Sequence, residues 1–164
     1  MVREIKLTQG YVALVDDEDF ENISKYVWCT SKWNNSIYAV TNICDQDGKR
    51  KTLKMHRLIL NLKVGQECDH MDHNGINNQK SNLRHVTHQQ NLSNTRKQRT
   101  AHNGMCSSKY KGVKKHKGKW VSQIQLNYQQ IYIGIFISEE EAARAYDIKA
   151  RELFGEYSNL NFPV

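Results

Sequence analysis

The four cysteines of this 164-residue chain, Cys29, Cys44, Cys68 and Cys106, are scattered, with no Cys-x-x-Cys pair among them. That spacing argues against a structural zinc knuckle and against a disulfide framework. The thiols read as small, reduced, semi-buried residues, Cys68 beside Asp69 included. No apolar stretch approaches the ~20 residues that span a bilayer, and Met1-Val2-Arg3-Glu4 opens no signal peptide. The expectation is a cytoplasmic protein with no membrane partner. Internal repeats and low-complexity tracts are missing too. Most informative is the missing acid: after Asp72 there is no Asp or Glu until Glu139, while residues 73 to 138 carry eleven Lys or Arg.

What is present suits folding. Apolar residues make up 38%, with three Trp and eight Tyr, and the mean hydropathy of −0.75 describes a very polar surface. The net charge of +7 is unevenly placed. Residues 1–95 hold 12 cations against 11 anions, whereas residues 96–164 hold 12 against 6. An excess confined to the C-terminal part implies a polyanionic partner there, and nucleic acid is the commonest.

Along the chain, Glu4–Leu7 and Tyr11–Val15 read as strands around Gln9-Gly10, and Asp16-Asp17-Glu18-Asp19 starts a short helix. Residues 28–33 and 36–43 alternate as strands about an Asn34-Asn35 turn. Asp47-Gly48 turns into Lys51–Leu53, and Met55–Leu62 reads as helix. Residues 64–78 read as a polar loop, followed to Asn91 by loop and then helix, with His85 packed beneath it. Residues 96–108 read as a basic linker carrying Arg96, Lys97 and Arg99. The last part, 109–164, gives strands at Tyr110–Lys115, Lys119–Leu126 and Gln130–Ile137. A capping box, Ser138-Glu139-Glu140-Glu141, then opens an Ala-rich helix ending at Gly155. The fold class is α+β, with residues 1–95 as one domain (1–50 a scaffold, 51–95 its core) and 109–164 as a second.

One stretch carries chemistry: Asp69-His70-Met71-Asp72-His73-Asn74-Gly75, then Ser81-Asn82-Leu83-Arg84 and Gln90-Asn91. Cutting a phosphodiester takes an activated water, a base, and a cation to offset charge at phosphorus. Hard oxygen ligands suit Mg²⁺ or Mn²⁺, and His titrates near neutrality. On an extended strand Asp69 and His70 point to opposite faces, so one can hold a metal while the other works on water. Asn91 can add a neutral oxygen ligand, and Asn82 can bond backbone across the loop. An Asn/Asp/His-rich loop making only turns and caps is the bland alternative.

These residues, with Met55-His56-Arg57-Leu58-Ile59 upstream, resemble the H-N-H nuclease motif in its H-N-N form, found in some phage-type homing endonucleases. The resemblance spans about residues 50–95. It implies a ββα-metal fold, a mobile-element origin, His70 as general base, Asp69 and Asn91 as ligands of one divalent ion, and Asn82 as the residue positioning the loop. The motif's third position is often His, and His88 competes for it; the separation from Asn82 favours Asn91. His73 is either a phosphate contact or an exposed ring, Arg84 is a further candidate for phosphate, and His56 supports the fold.

Lys109, Lys111, Lys114, Lys115, Lys117 and Lys119 cluster on the first C-terminal strand and its turn. Alternation puts Trp120, Ser122 and Ile124 on one face of the next strand and Val121, Gln123 and Gln125 on the other, where amides can read adenine edges. Tyr110-Lys111-Gly112-Val113, Lys119-Trp120-Val121, residues 131–136, residues 140–147 and Asn161-Phe162-Pro163 resemble the plant ethylene-response-factor (Apetala-two) DNA-binding domain. The resemblance implies a three-stranded antiparallel sheet packed on one helix and laid in the major groove of double-stranded DNA. Its implied contacts are Lys111, Lys114, Gln123, Gln125, Gln130 and Tyr132, with Lys115 and Lys117 on phosphates. Where the family carries Arg and Trp this chain has Lys, Gln and Tyr, so a GC-rich preference does not carry over.

The leading expectation is a metal-dependent DNA endonuclease of the homing type, monomeric or homodimeric, with no protein partner evident. The alternative is a non-catalytic DNA-binding regulator with a degenerate nuclease fold. An RNA substrate fits poorly, because the A-form major groove is too deep and narrow to read.

Overall fold

The computed structural model describes the chain except residues 34, 35, 45, 98, 99, 102, 103 and 164, and the side chains of 100, 101, 104 and 105. The expected Asn34-Asn35 turn and Arg99 lie outside the described residues. The protein is mixed α+β, with several small antiparallel sheets and few helices, and it divides into two units, Met1–Thr87 and His88–Val164.

The first unit opens with an antiparallel pair, β1 (Val2–Lys6) and β2 (Val12–Asp16). Alternation on β2 sends Ala13 and Val15 inward, both fully buried, to meet Ile5. Three acids at its start, Asp17, Glu18 and Asp19, complement the dipole of α1 (Asp17–Ile23). Beyond α1 the Trp28 Nε1–H donates to the Ile23 carbonyl at 2.8 Å, burying the indole in the core. An antiparallel sheet follows, β3 (Cys29–Trp33), β4 (Ser36–Cys44) and β5 (Arg50–Lys54), with β4 central. Its end runs directly into α2 (Met55–Ile59), whose Met55 is fully buried. The helix is shorter than the apolar run to Leu62, because Asn61 takes a left-handed φ of 48° and closes it.

Two strands stand where a loop was expected. β6 (Glu67–His70) pairs antiparallel with β7 (Leu83–Val86), Asp69 opposite Arg84 and His70 opposite Leu83. Glu-Cys-Asp-His has no apolar alternation to announce a strand, and the cross-strand pairs themselves supply the pairing. The loop between them is gripped by the N-terminal hairpin. Leu14 N–H donates to the Ile76 carbonyl at 2.9 Å and Asn78 N–H to the Leu14 carbonyl at 2.8 Å. Residues 1–50, which carry no catalytic motif, therefore position this loop.

The second unit begins with α3 (His88–Asn94). A two-residue pair, β8 (Thr100–Ala101) with β9 (Gly104–Met105), lies within the segment expected to be plain linker. The sheet β10 (Val113–His116), β11 (Lys119–Leu126) and β12 (Gln129–Phe136) is antiparallel, with turns at Lys117-Gly118 and Asn127-Tyr128. Across it lies α4 (Glu139–Phe154), started by the expected capping box: Ser138 Oγ accepts from the Glu140 N–H while Ser138 N–H donates to Glu141. Ala142, Ala143, Tyr146 and Ala150 are buried against Val113 and Ile124. Gly112, at φ 74°, lies against the Tyr146 ring so closely that no Cβ fits. Buried Asp147 accepts the N–H groups of Asn161 and Phe162, each at 2.8 Å, and Asn161 bonds back to Lys111. No helix among the described residues is long and apolar enough to cross a membrane.

Candidate active site

His70 ends β6 with its ring buried. Its Nε2 lies 3.4 Å from Asn78 Oδ1, and Asn78 is fully buried. Two more rings enclose it: His56, edge-on at 5.0 Å between centroids, and Tyr38 at 5.9 Å. Tyr38 reaches the site from β4 and packs on Gly75 so tightly that a Cβ there would stand 2.6 Å from the ring and 2.5 Å from the Ile37 carbonyl. Burial pulls the His70 pKa below its ordinary value, against the opposing effects of the Asn78 bond and the Asp72 and Asp69 charges. Burial drives His56 further, to about 3, helped by the charges of His70, Lys54 and Arg57. Both imidazoles are thus neutral at pH 7. His56 Nδ1 and Asn78 Nδ2 are buried without a hydrogen-bond partner among the described residues. Such groups are uncommon in a folded core and call for an explanation; two beside one imidazole single this spot out.

The loop from β6 to β7 is held by side chains. Asn82 Oδ1 accepts from the Asp72 N–H at 3.0 Å, and its Nδ2 donates to Asp72 Oδ1 at 2.9 Å and the Asn77 carbonyl at 2.8 Å. Asp72 also accepts from the Asn74 N–H and the Asn77 amide, at 2.8 and 2.7 Å. Partial burial raises its pKa, but these donors outweigh it and hold the carboxyl below the usual range. Asp16 extends the network, accepting from the Lys80 N–H at 2.7 Å.

Asp69 points to the other side of β6, where Arg84 Nη2 donates to it at 3.0 Å, both side chains mostly buried. Arg84 is thereby tied to the carboxylate rather than left as an outward arm. His73 is half-buried at φ 58°. His85 is exposed, not packed beneath a helix: on β7 it alternates with the half-buried Arg84 and Val86. Asp69, His70, Asn82 and Arg84 belong to the first unit; Asn91, half-buried on α3, and His88 belong to the second. Among the described residues no three His, Cys, Asp or Glu gather into a metal cage. Sequence reading missed Tyr38, Asn77, Asn78 and the structural use of Asp72. The Asn77-Asn78 pair was a visible signal; nothing in the text around Tyr38 announces it.

In the second unit, Lys111 departs from the expected DNA contact. Its ammonium turns inward, donating to the Ser93 and Thr95 carbonyls at 2.6 and 2.7 Å, and burial lowers its pKa to about 8. Those carbonyls are left over by the end of α3, and a lysine is a natural cap for them. Lys114, Lys115, Lys117, Gln125, Gln130 and Tyr132 are exposed, Gln123 half-buried; Arg96 is exposed and Lys97 half-buried.

No family model matches the chain. An uncharacterized HNH endonuclease of Acanthamoeba polyphaga mimivirus is 34% identical over 160 residues, covering 93% of this chain and 76% of the relative. An ethylene-responsive transcription factor of Arabidopsis thaliana is 47% identical over 64 residues, 37% of this chain and 33% of the plant protein. An AP2/ERF and B3 domain-containing transcription repressor of the same plant is 46% identical over 57 residues, 34% of this chain and 16% of its own length. The plant similarity is thus confined to about a third of this chain and a third or less of those proteins, whereas the viral one runs nearly from end to end. The chain belongs to the HNH endonuclease family.

Proposed function

We propose that the protein is a metal-dependent DNA endonuclease of the homing type, with His70 as general base and the β10–β12 sheet as its DNA-binding surface. The observation carrying this is His70 itself: a buried, neutral imidazole beside Asp69, at the mouth of a loop locked by Asn82. A general base must be unprotonated, and burial keeps it so. β6, β7 and α3 follow one another in the order of a ββα-metal motif.

Asp69 is the hard oxygen donor that the first unit offers an ion; Mg²⁺ and Mn²⁺ accept few protein oxygens and keep water for the rest. Such an ion supplies charge stabilisation at the phosphate and leaving oxygen. Arg84 fixes the direction of the Asp69 carboxylate. In the tautomer with its proton on Nε2, His70 donates to Asn78 Oδ1 and Nδ1 is left to take a proton from water. Asn82 and Asp72 hold the loop, and Asn78, His56 and Tyr38 enclose the ring. Water attack leaves a 5′-phosphate and a 3′-hydroxyl. One such site per chain cuts one strand per docking event.

The test is cleavage of supercoiled plasmid at low salt with Mg²⁺ or Mn²⁺, wild type beside His70→Ala. Nicked or linear product from wild type alone is the expected result. A wild-type protein that binds the plasmid and leaves it intact with either ion sinks the nuclease reading in favour of a binding protein.

A further inference from the structure

The outward face of the C-terminal sheet has a composition that its packing leaves to a ligand. Trp120 and Ile124 pack with the α4 side, so Val121, Gln123 and Gln125 face away, Val121 buried at 7% exposure and the two glutamines open to solvent in part or in full. Ser122 pairs with Gly134 but Gln123 pairs with Tyr132, so β12 carries one extra residue, Ile133, at a bulge. The bulge resets the phase: Ile131 and Ile133 both enter the core, while Gln130, Tyr132 and Ile135 face outward. The outer face is then three cross-strand rows: Gln125 beside Gln130, Gln123 beside Tyr132, and Val121 between Ile135 and Lys114. Tyr132 is 62% exposed and Ile135 48%.

These three strands contain no arginine and no acid. Guanine is read best by a bidentate cation on O6 and N7, adenine by an amide on N6 and N7, and thymine by apolar contact with its methyl group. Rows two residues apart stand roughly 7 Å from one another, about two base-pair steps. Lys114 closes the third row at the edge of the sheet, Lys117 and Lys119 lie beyond it, and all three suit phosphates.

We infer that this face selects a short A·T-rich duplex, with Gln123, Gln125 and Gln130 on adenine edges and Ile135 and Tyr132 on thymine methyls. The inference rests on the reading of the sheet as a major-groove DNA surface and adds its base preference. It departs from a guanine-reading sheet at the amide rows.

The experiment is selection by the full chain, in EDTA to prevent cutting, from a randomised duplex library. It is followed by titration of the selected duplex, a G·C-substituted copy, and a copy with uracil in place of thymine. We expect an A·T-rich core, roughly ten- to hundredfold tighter than the G·C copy, and several-fold weakening by uracil. Ile135→Ala should reduce the thymine-over-uracil difference, with Ile135→Ala and Tyr132→Ala together erasing it, and Gln125→Arg should move one position toward guanine. A G·C-rich selected core, tight binding without any preferred sequence, or indifference to uracil each overturns the base preference while leaving DNA binding in place. Failure to bind every duplex removes the DNA-binding reading with it.

Discussion

The two units achieve order by different means. In the second, a sheet and a helix bury a continuous apolar layer of Ile124, Ile131, Ile133, Tyr146, Ala150 and Phe154, and polar bonds only pin the ends. In the first, the apolar core lies under the N-terminal hairpin, while the segment carrying His70 and Asn82 is fixed by Asx side chains bonding to one another and to backbone. Apolar layers tolerate conservative exchange; hydrogen-bond networks fail when one member is removed. A binding surface can rest on the first kind of order. The base proposed at His70, which must hold its position to a fraction of an ångström, needs the second.

The contrast breaks most sharply at Gly112. A Cβ there would enter the Tyr146 ring and would also sit on a φ of 74°. Gly112→Ala should destabilise the second unit by roughly 3 kcal/mol or more, read by urea unfolding. Conservative trimming of the same layer, Ile133→Val, should cost only about 1 kcal/mol. Equal effects would show that the layer has no tight spot.

Next in size is Asn82→Ala, which removes three bonds at once, to the Asp72 N–H, to Asp72 Oδ1 and to the Asn77 carbonyl. At about 1 kcal/mol for each bond, the loss should be roughly 2–3 kcal/mol. Plasmid cutting should fall by about a hundredfold or more as His70 loses its support. Normal cutting by a destabilised Asn82→Ala protein would detach the network from the chemistry.

The same contrast explains what was legible. Periodic apolar residues and a capping box made β11, β12 and α4 readable to within a residue or two, since burial writes its period into the text. Strands β6 and β7 were not readable, because Glu67-Cys68-Asp69-His70 pairs by backbone while its side chains serve the site. Asp69, His70 and Asn82 were found as a motif. Tyr38 and Asn78 were not, because what makes them neighbours of His70 is the return of β4 and the grip of Leu14 on the loop. Lys111 looked like an outward cation and is turned inward; nothing local distinguishes it from Lys114.

A smaller effect separates the units by pH. His56 and His70 are held neutral below their ordinary pKa, so the unfolded chain takes up protons that the folded chain refuses. Stability from this source is present above about pH 6.5 and is lost as pH falls below it, by about 1.4 kcal/mol per pH unit for His56. Urea unfolding at pH 7 and pH 5 should show the first unit weakening, and His56→Phe should flatten that slope. An unchanged slope would mean that His56 accepts its proton without unfolding.

The smallest expected effect discriminates most finely, because it asks which unit-two cations meet DNA. Lys114 is exposed on the sheet, whereas Lys111 ends on the Ser93 and Thr95 carbonyls. A phosphate contact releases counterions, so its loss lowers the salt slope of binding by about one. Lys114→Gln should do this with unchanged stability. Lys111→Met should leave the slope alone and cost about 1–3 kcal/mol, since the end of α3 loses two charge-assisted bonds. A Lys111→Met protein of normal stability and reduced salt slope would return this lysine to the DNA surface, and its inward geometry would be one that DNA pulls open.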